Sequence, residues 1–474
     1  MEIKFKQGID ENQEFLIPKK FSEFLPDNHL AKVIFEIVDK LNLSRIESKY
    51  SNLGQHAYDP KIMVSLLFYG YSIGTRSSRK ISQGCEDRFD FAFLADGFHP
   101  SHDRIADFRK CNLKELKDIF KIIVLIGSNL GLAKLGNINV SIDGAKVKAN
   151  ASSKLTKDED GLLNLLENVD KEINSILEEA EKVDNNEDEK YGKGNRGNEL
   201  PKKLQSKLSR KKAIEKAYEK LVIQKEEMRE NIKEQFEREP TNTEEKKIDK
   251  MKINVTDNDT KFMKERCGVI RPNYNAQISV DEKEQFIIAN DVTDECNDAH
   301  QLVPMLKKTK ENIKENPKSA KADNGYFPQL EKATELFPKV NFYIDDRNRR
   351  KEKINFKEIK EKYSSVQYKN LKKLMTKKGK KEYGKRMHTA EPPIGNLKHN
   401  LGYRYFLLRE LERVQGEFNL MCIGHNMKKI HSSLTKKKGP PLAVALQNIP
   451  KIGRYGMNIE INNERKGKFS PFVK

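Results

Sequence analysis

The run Asn137-Ile138-Asn139-Val140-Ser141-Ile142 alternates polar and apolar side chains and ends in Asp143-Gly144. A period of two predicts a strand with one buried face, and Gly144 lets the backbone leave it. A carboxylate at the end of a buried strand is costly unless a charge, a metal or hydrogen bonds compensate it. The plain alternative is an Asp that caps a turn. Both readings stand for this window alone. What separates them is whether other carboxylates end up beside Asp143.

A second candidate lies 180 residues on. Ser319-Ala320-Lys321-Ala322 leads into Asp323-Asn324-Gly325-Tyr326, again a strand closed by Asp-x-Gly. Between the two, Tyr274 to Val280 and Gln285 to Val292 predict strands joined at Asp281-Glu282-Lys283-Glu284, a hairpin. A helix with Leu302, Met305 and Leu306 follows, then the second Asp strand, a helix from Phe327 to Phe337, and a strand from Val340 to Asp345. This mixed order predicts an α/β fold, a sheet with helices on its faces. Asp291, Asp294 and Asp298 cluster behind the hairpin and read as turn and helix caps.

The flanks have a different character. Residues 1–20 form a lead-in. Residues 21–130 carry helical patterns: Val33, Ile34, Ile37, Val38 and Leu41 after Asp27-Asn28, and Ile62, Met63, Leu66, Leu67 and Tyr71 after Asp59-Pro60, an N-cap followed by Pro at the first helical position. A helix from Ser101 sets Arg104, Arg109 and Lys110 opposite Ile105 and Phe108. This helical N-terminal domain reads either as a DNA reader or as a packing and dimerisation unit. Leu162, Leu166, Val169, Ile173, Ile176, Ala180 and Val183 then repeat at alternating spacings of four and three, an a/d seam. A polar loop over Asp184–Glu199 and a second helical run from Pro201, with Ile214, Ala217 and Leu221 and an interrupting Lys225, predict a coiled-coil-like helical hairpin inserted at 156–250. The sheet domain is thus 135–155 together with 251–430, and 431–474 is a basic tail.

Charge narrows the partner. The 474 residues hold 90 Lys and Arg against 71 Asp and Glu, a net charge of +19. Residues 347–386 hold 17 basic and 4 acidic side chains and residues 431–474 hold 9 and 2, so the rest of the chain is close to neutral. A positive field confined to the C-terminal third favours a phosphate polyanion. The five cysteines are scattered and form no CxxC pair, which speaks against a zinc module and for a reducing compartment. The start has no apolar signal core, the longest apolar run is far too short to span a bilayer, and no GxxxxGK[ST] phosphate loop is present. The expectation is a cytoplasmic protein, associated with the nucleoid when bound to DNA, with no membrane partner and no ATP-driven motor. His388 reads as solvated, His300 and His425 as hydrogen-bonded within the fold, and Cys422 as core.

Several windows together resemble one family. Residues 57–110, from Tyr58-Asp59-Pro60 through Arg76-Ser77-Ser78-Arg79-Lys80 to Phe108-Arg109, are similar to the helical N-terminal domain of prokaryotic insertion-sequence DDE transposases. Ile142-Asp143-Gly144-Ala145-Lys146-Val147-Lys148 resembles their first-Asp strand, Ala322-Asp323-Asn324-Gly325-Tyr326 the second, and Glu391-Pro392-Pro393-Ile394-Gly395-Asn396-Leu397-Lys398 the segment with the third acid. Glu417-Phe418-Asn419-Leu420 through His425-Asn426-Met427 resembles the closing helix. The resemblance implies an RNase H-like core in which Asp143, Asp323 and Glu391 hold two Mg²⁺ or Mn²⁺ ions, with Tyr383, Arg386 and Lys398 on DNA phosphates. It implies a homodimer that binds the inverted-repeat ends of its element, cuts them and joins them to target DNA. Alternatives are a catalytically inactive DNA-binding regulator derived from a transposase and an RNase H-like nuclease. Pro392 disfavours helical geometry at the residue before it, so Glu391 is expected at a helix start rather than inside one.

Overall fold

The computed structural model describes residues 20–51, 56–133, 136–191, 202–346, 360–437 and 439–447. The chain opens with the helices α1 (Leu30–Asp39), α2 (Ser44–Glu47), α3 (Pro60–Ser72), α4 (Ser78–Asp87), α5 (Phe89–Leu94), α6 (His102–Cys111) and α7 (Leu113–Asn129). The Asp59-Pro60 signal starts α3 as expected: the Asp59 carboxylate accepts the Lys61 N–H at 2.8 Å. Ile34, Ile37 and Val38 of α1 and Leu66, Leu67 and Tyr71 of α3 are buried, so the helical spacing does define the packed faces.

The sheet is mixed. Its strands are β1 (Asn139–Lys148), β4 (Lys261–Lys264), β5 (Ile270–Asp281), β6 (Ile287–Thr293), β7 (Ser319–Ala322) and β8 (Asn341–Ile344); a separate two-stranded ribbon joins β2 (Thr156–Lys157) to β3 (Ile253–Asn254). The main order is β4-β5-β1-β7-β8, with β6 paired to β5. β1 is antiparallel to β5 and parallel to β7, and β7 is parallel to β8. The β5–β6 pair is the predicted hairpin, and Asp281 closes its turn by accepting the N–H groups of Lys283 and Glu284 at 2.8 and 3.0 Å.

The insertion is a helical hairpin of α8 (Glu159–Tyr191) and α9 (Lys202–Phe236), followed by α10 (Asn242–Asp249). It has its own small core, in which Leu162, Val169 and Ile173 of the predicted seam meet Leu204, Ile214, Ala217 and Leu221. Lys225, which interrupts the seam, is buried and paired with Glu159 at 2.6 Å, so the polar residue is matched rather than stranded. The expected loop from Asp184 needs correcting: α8 runs on to Tyr191, because its polar residues suit a solvated helix as well as a loop. The rest of that loop, and the side chains of Ala180 and Val183, lie outside the described residues. Asp259 ties the hairpin to the sheet domain by pairing with Lys220 and accepting the Leu411 N–H at 2.7 Å.

α11 (Leu302–Ile313) joins β6 to β7 and α12 (Leu330–Leu336) joins β7 to β8; both pack beside the sheet, and the basic region follows β8. Residues 347–359 lie outside the described part. The remainder forms α13 (Ser365–Met375), α14 (Lys377–Gly384), α15 (Arg386–Thr389) and α16 (Glu391–Gly395), then a single π-helical turn over Asn396–Asn400. The long helix α17 (Leu411–Thr435) is buried along most of its length between α3, α7 and β6. Asn426 shows how it covers a strand edge. Its side-chain amide exchanges two hydrogen bonds with the backbone of Ile287, 3.0 and 2.8 Å, and so satisfies groups that β6 would otherwise leave open. The short helix α18 (Leu442–Gln447) buries Leu442, Ala445 and Leu446 and lies against α7. The first part of the presumed tail is therefore packed, since its apolar residues recur every three or four positions. Residues 448–474 lie outside the described part.

One continuous hydrophobic cluster runs from Leu25 to Leu446 and joins the N-terminal helices to the sheet. A buried ion pair reinforces that junction: Arg76 Nη1 lies 3.2 Å from Glu417 Oε1, with side-chain exposures of 7% and 0%. Removing one partner leaves the other charge buried and alone. Arg76→Ala should therefore lower the unfolding free energy by about 3–5 kcal/mol in a urea titration.

His425 links three parts of the structure. It is buried, its Nε2 stands 3.0 Å from Gln285 O, and its Nδ1 stands 3.1 Å from Asn396 Nδ2. Burial pushes its pKa down to about 4. The unfolded chain binds this proton below about pH 6.5 and the folded chain only below about 4, so stability is lost as pH falls between those values. The loss should approach about 1.4 kcal/mol per pH unit there, and His425→Gln should flatten the slope in melts run from pH 7 to 4.

Candidate active site

Strand pairing alone puts the two aspartates together. Ile142 of β1 is in register with Ala322 of β7, and the next residue of each strand is Asp143 and Asp323. Asp323 directly follows β7, but the expected end of β1 at Asp143-Gly144 needs correcting: β1 runs on to Lys148 because β5 pairs with it throughout, so Asp143 lies mid-strand, beside Asp323 where β7 stops. Each accepts the N–H of its own motif glycine: Gly144 to Asp143 at 2.9 Å, Gly325 to Asp323 at 2.8 Å. Burial pushes the Asp143 pKa up to about 7, with the Asp323 charge adding to it and the Gly144 N–H opposing. Asp323 is raised as well, by burial first. Two carboxylates that resist ionising together form a place that draws positive charge.

A third carboxylate reaches both of them. Asp298 raises the pKa of each aspartate through its charge. Its Oδ1 accepts Asn275 Nδ2 at 2.7 Å and Gln277 Nε2 at 2.6 Å, and stands 3.7 Å from Lys146 Nζ. The cap role expected for Asp298 does not hold, because α11 begins at Leu302 with Gln301 at its N-cap and the Asp298 side chain turns to the sheet instead. Asp291 pairs with Lys308 at 2.6 Å and Asp294 with Lys261 at 2.7 Å. The signal available in sequence for Asp298 was only its place behind the hairpin. Its approach to the strand ends depends on the path of the loop before α11.

The segment around Glu391 frames the pair. Lys398 Nζ donates to Lys146 O on β1 at 2.6 Å, and its charge bears on Asp143. Burial lowers the Lys398 pKa. The Arg386 charge bears on Asp323, its guanidinium lies 4.8 Å from the ring centre of Tyr383, and its buried Nε has no hydrogen-bond partner. Tyr383 is buried beneath it. Glu391 opens α16, as the following prolines required, and is half-buried. The structure does not bring it into a ready cluster: among the described residues no three His, Cys, Asp or Glu side chains form a group able to hold a metal.

The two N-terminal arginines part ways. Arg104 is exposed on α6. Arg109 is not on the solvent face expected for it. It is buried and donates to Tyr71 Oη at 3.0 Å and to Arg76 O at 3.1 Å. Asp103, Arg104, Asp107 and Lys110 of α6 face solvent, whereas Arg109 shares the packed side with Ile105 and Phe108, because it sits next to Phe108 at the border of the apolar stripe, where helical spacing alone does not assign a side. His388 has an exposed side chain and His300 is exposed, so His300 is not held within the fold as expected, whereas Cys422 is buried core.

Removing one charge from the aspartate pair relieves the repulsion. Asp143→Asn should raise the stability of the metal-free protein at pH 8 by about 1–4 kcal/mol in a denaturant titration. The same substitution should abolish any further stabilisation by millimolar Mg²⁺.

Two family models match the chain in separate places. Residues 19–111 match a transposase domain (DUF772), and residues 346–431 match a transposase DDE domain. The first covers α1 to α6. The second covers Tyr383, Arg386, Glu391 and Lys398, and neither reaches Asp143 or Asp323. No curated protein and no solved structure gives a significant match. Among the described residues no helix is long and apolar enough to cross a membrane. Two separate segments thus place the chain with the insertion-sequence DDE transposases.

Proposed function

We propose that this transposase binds the inverted-repeat ends of its element as a dimer, cleaves a phosphodiester at each end, and joins the freed 3′-hydroxyl to target DNA. The observation that carries the reading is the placement of Asp143, within β1, and Asp323, just after β7, side by side on two parallel strands, under a segment that supplies Arg386 and Lys398. A mixed sheet with acids at that position supports the RNase H-like core implied by the sequence resemblance.

Transposases act on DNA, and DDE transposases generally use divalent metal ions. The donor set fits such an ion: two oxygen donors of like charge, raised in pKa by burial and by neighbouring carboxylates, are what a hard cation stabilises. Asp143 and Asp323 would hold it, with Glu391 joining from α16. A bound divalent ion supplies Lewis acidity to the scissile phosphate and makes water or a 3′-hydroxyl a stronger nucleophile. The chain's own residues do the rest. Arg386, held against Tyr383, and Lys398, held against the β1 backbone, grip phosphates on either side of the acids and fix the DNA backbone over them. The Gly144 and Gly325 N–H groups hold one oxygen of each aspartate and leave the other for the ion.

A binding-only descendant is the second reading, favoured by the lack of a ready three-acid cluster among the described residues. Cleavage of element-end DNA by the purified protein with Mg²⁺ separates the two. Asp143→Asn should abolish cleavage while leaving DNA affinity nearly intact; cleavage that survives it refutes the assignment. Arg386→Ala should weaken DNA binding and reduce the slope of log affinity against log salt by about one.

A further inference from the structure

The glycines of the two Asp motifs have a common neighbour. A methyl group on Gly144 would stand 2.6 Å from Asp298 Oδ1 and would also collide with the Gln277 amide. A methyl on Gly325 would stand 3.0 Å from Asp323 Oδ1, 3.5 Å from Asp298 Cβ and 3.6 Å from Asp298 Oδ2. Both motif glycines therefore lack a side chain where the Asp298 carboxylate enters, and the space beside Gly325 lies between two carboxylates. Neither glycine has a left-handed backbone, so backbone conformation does not demand glycine at either place.

The two oxygens of Asp298 are treated differently. Oδ1 carries both amide hydrogen bonds and the approach of Lys146. Oδ2 is left without a hydrogen bond among the described residues and lies on the Asp323 side. Asn275 and Gln277 are themselves fully buried, so the grip on Oδ1 is built into β5 rather than lent by a mobile surface group. Gln277 is in turn held by Tyr326, the residue after the Asp323-Asn324-Gly325 motif. Asn275 Oδ1 is buried with no hydrogen-bond partner and would stand 3.1 Å from the same Gly144 methyl, an unmet acceptor next to Asp298 Oδ1.

We propose that Asp298 is a member of the cation-binding set: Asn275 and Gln277 hold its Oδ1 so that Oδ2 binds, together with Asp143 and Asp323, a divalent cation where β7 stops beside the middle of β1. This rests on the assignment of Asp143 and Asp323 as the acid pair. It provides a three-carboxylate site before Glu391 engages. Among the described residues these acids do not already form a three-acid group, so the proposal requires the cation to bring their carboxylates together.

Mn²⁺ binding to the full-length protein without DNA, measured by calorimetry and by electron paramagnetic resonance of the free ion, tests it. The unsubstituted protein should bind Mn²⁺, Asp143→Asn should remove binding, and Asp298→Asn should weaken it by about tenfold or more. Asn275→Ala should give a smaller loss, because the carboxylate remains but is no longer aimed. Circular dichroism checks the fold of each variant. Should Asp298→Asn fail to fold, Asp298→Glu, which keeps the charge and displaces it by one methylene, should show the weakening. Unchanged Mn²⁺ affinity in the folded Asp298 variant, with binding lost in Asp143→Asn, overturns this inference and leaves the acid pair standing. Unchanged affinity in both, or no binding by the unsubstituted protein, overturns the inference and the acid pair together.

Discussion

Glu417 has no access to water, and the arrangement of the molecule follows from how it is satisfied. Its carboxylate takes the Arg76 guanidinium and the backbone N–H groups of Leu407 and Leu408. Arg76 also donates to Tyr405 O and lies over the rings of Tyr403 and Tyr405 at 5.4 and 4.5 Å. The same loop reaches the end of β1, where Phe406 N donates to Lys148 O at 2.8 Å and Asn150 Nδ2 to Leu407 O at 2.6 Å. One buried charge therefore gathers the turn after α3, the start of α17 and the strand that carries Asp143. An uncompensated carboxylate there would cost several kcal/mol, so these parts are held in a single relation to one another.

Around the acids the logic is reversed, because charge is crowded rather than cancelled. Asp143, Asp323 and Asp298 bear on one another, and Lys146 and Lys398 are both lowered in pKa by burial beside them. The neighbouring end of β7 shows the opposite case. Lys321, fully buried, pairs with Glu282 and Glu382, and Lys385 closes the set at 2.7 and 2.8 Å to the same two acids. That matched cluster docks α14 and the start of α15 on the sheet and so sets where Arg386 emerges. Two residues along the same strand, balance gives way to excess negative charge. Such local imbalance costs stability, and the proposed function accounts for it by a cation that would restore the balance.

Local periodicity was enough for much of this. The alternation into Asp143, the Asp59-Pro60 cap, the β5–β6 hairpin and the heptad seam of α8 each follow from side chains a few positions apart, where backbone geometry alone decides which face is shared. The start of α16 at Glu391 was legible for the same reason, since Pro392 restricts the residue before it. Element ends were less so. α8 runs past the predicted loop because polar residues serve a solvated helix and a loop equally well, and α18 is not legible as a helix because six residues give too short a pattern.

The sequence by itself determined that Asp143 lies on a strand and that Asp323 closes one, for that depends only on alternation and a following glycine; it did not show that β1 runs on past Gly144 to Lys148, which the pairing with β5 decides. The fold alone decided that the two strands lie parallel and adjacent, that Arg109 faces inward to Tyr71, and that Asp298 enters between the two glycines. Each of these joins residues far apart in the chain, and no local pattern encodes which surfaces meet. Their meeting is set by the burial of the shared core and by the few buried charges that tolerate only one partner.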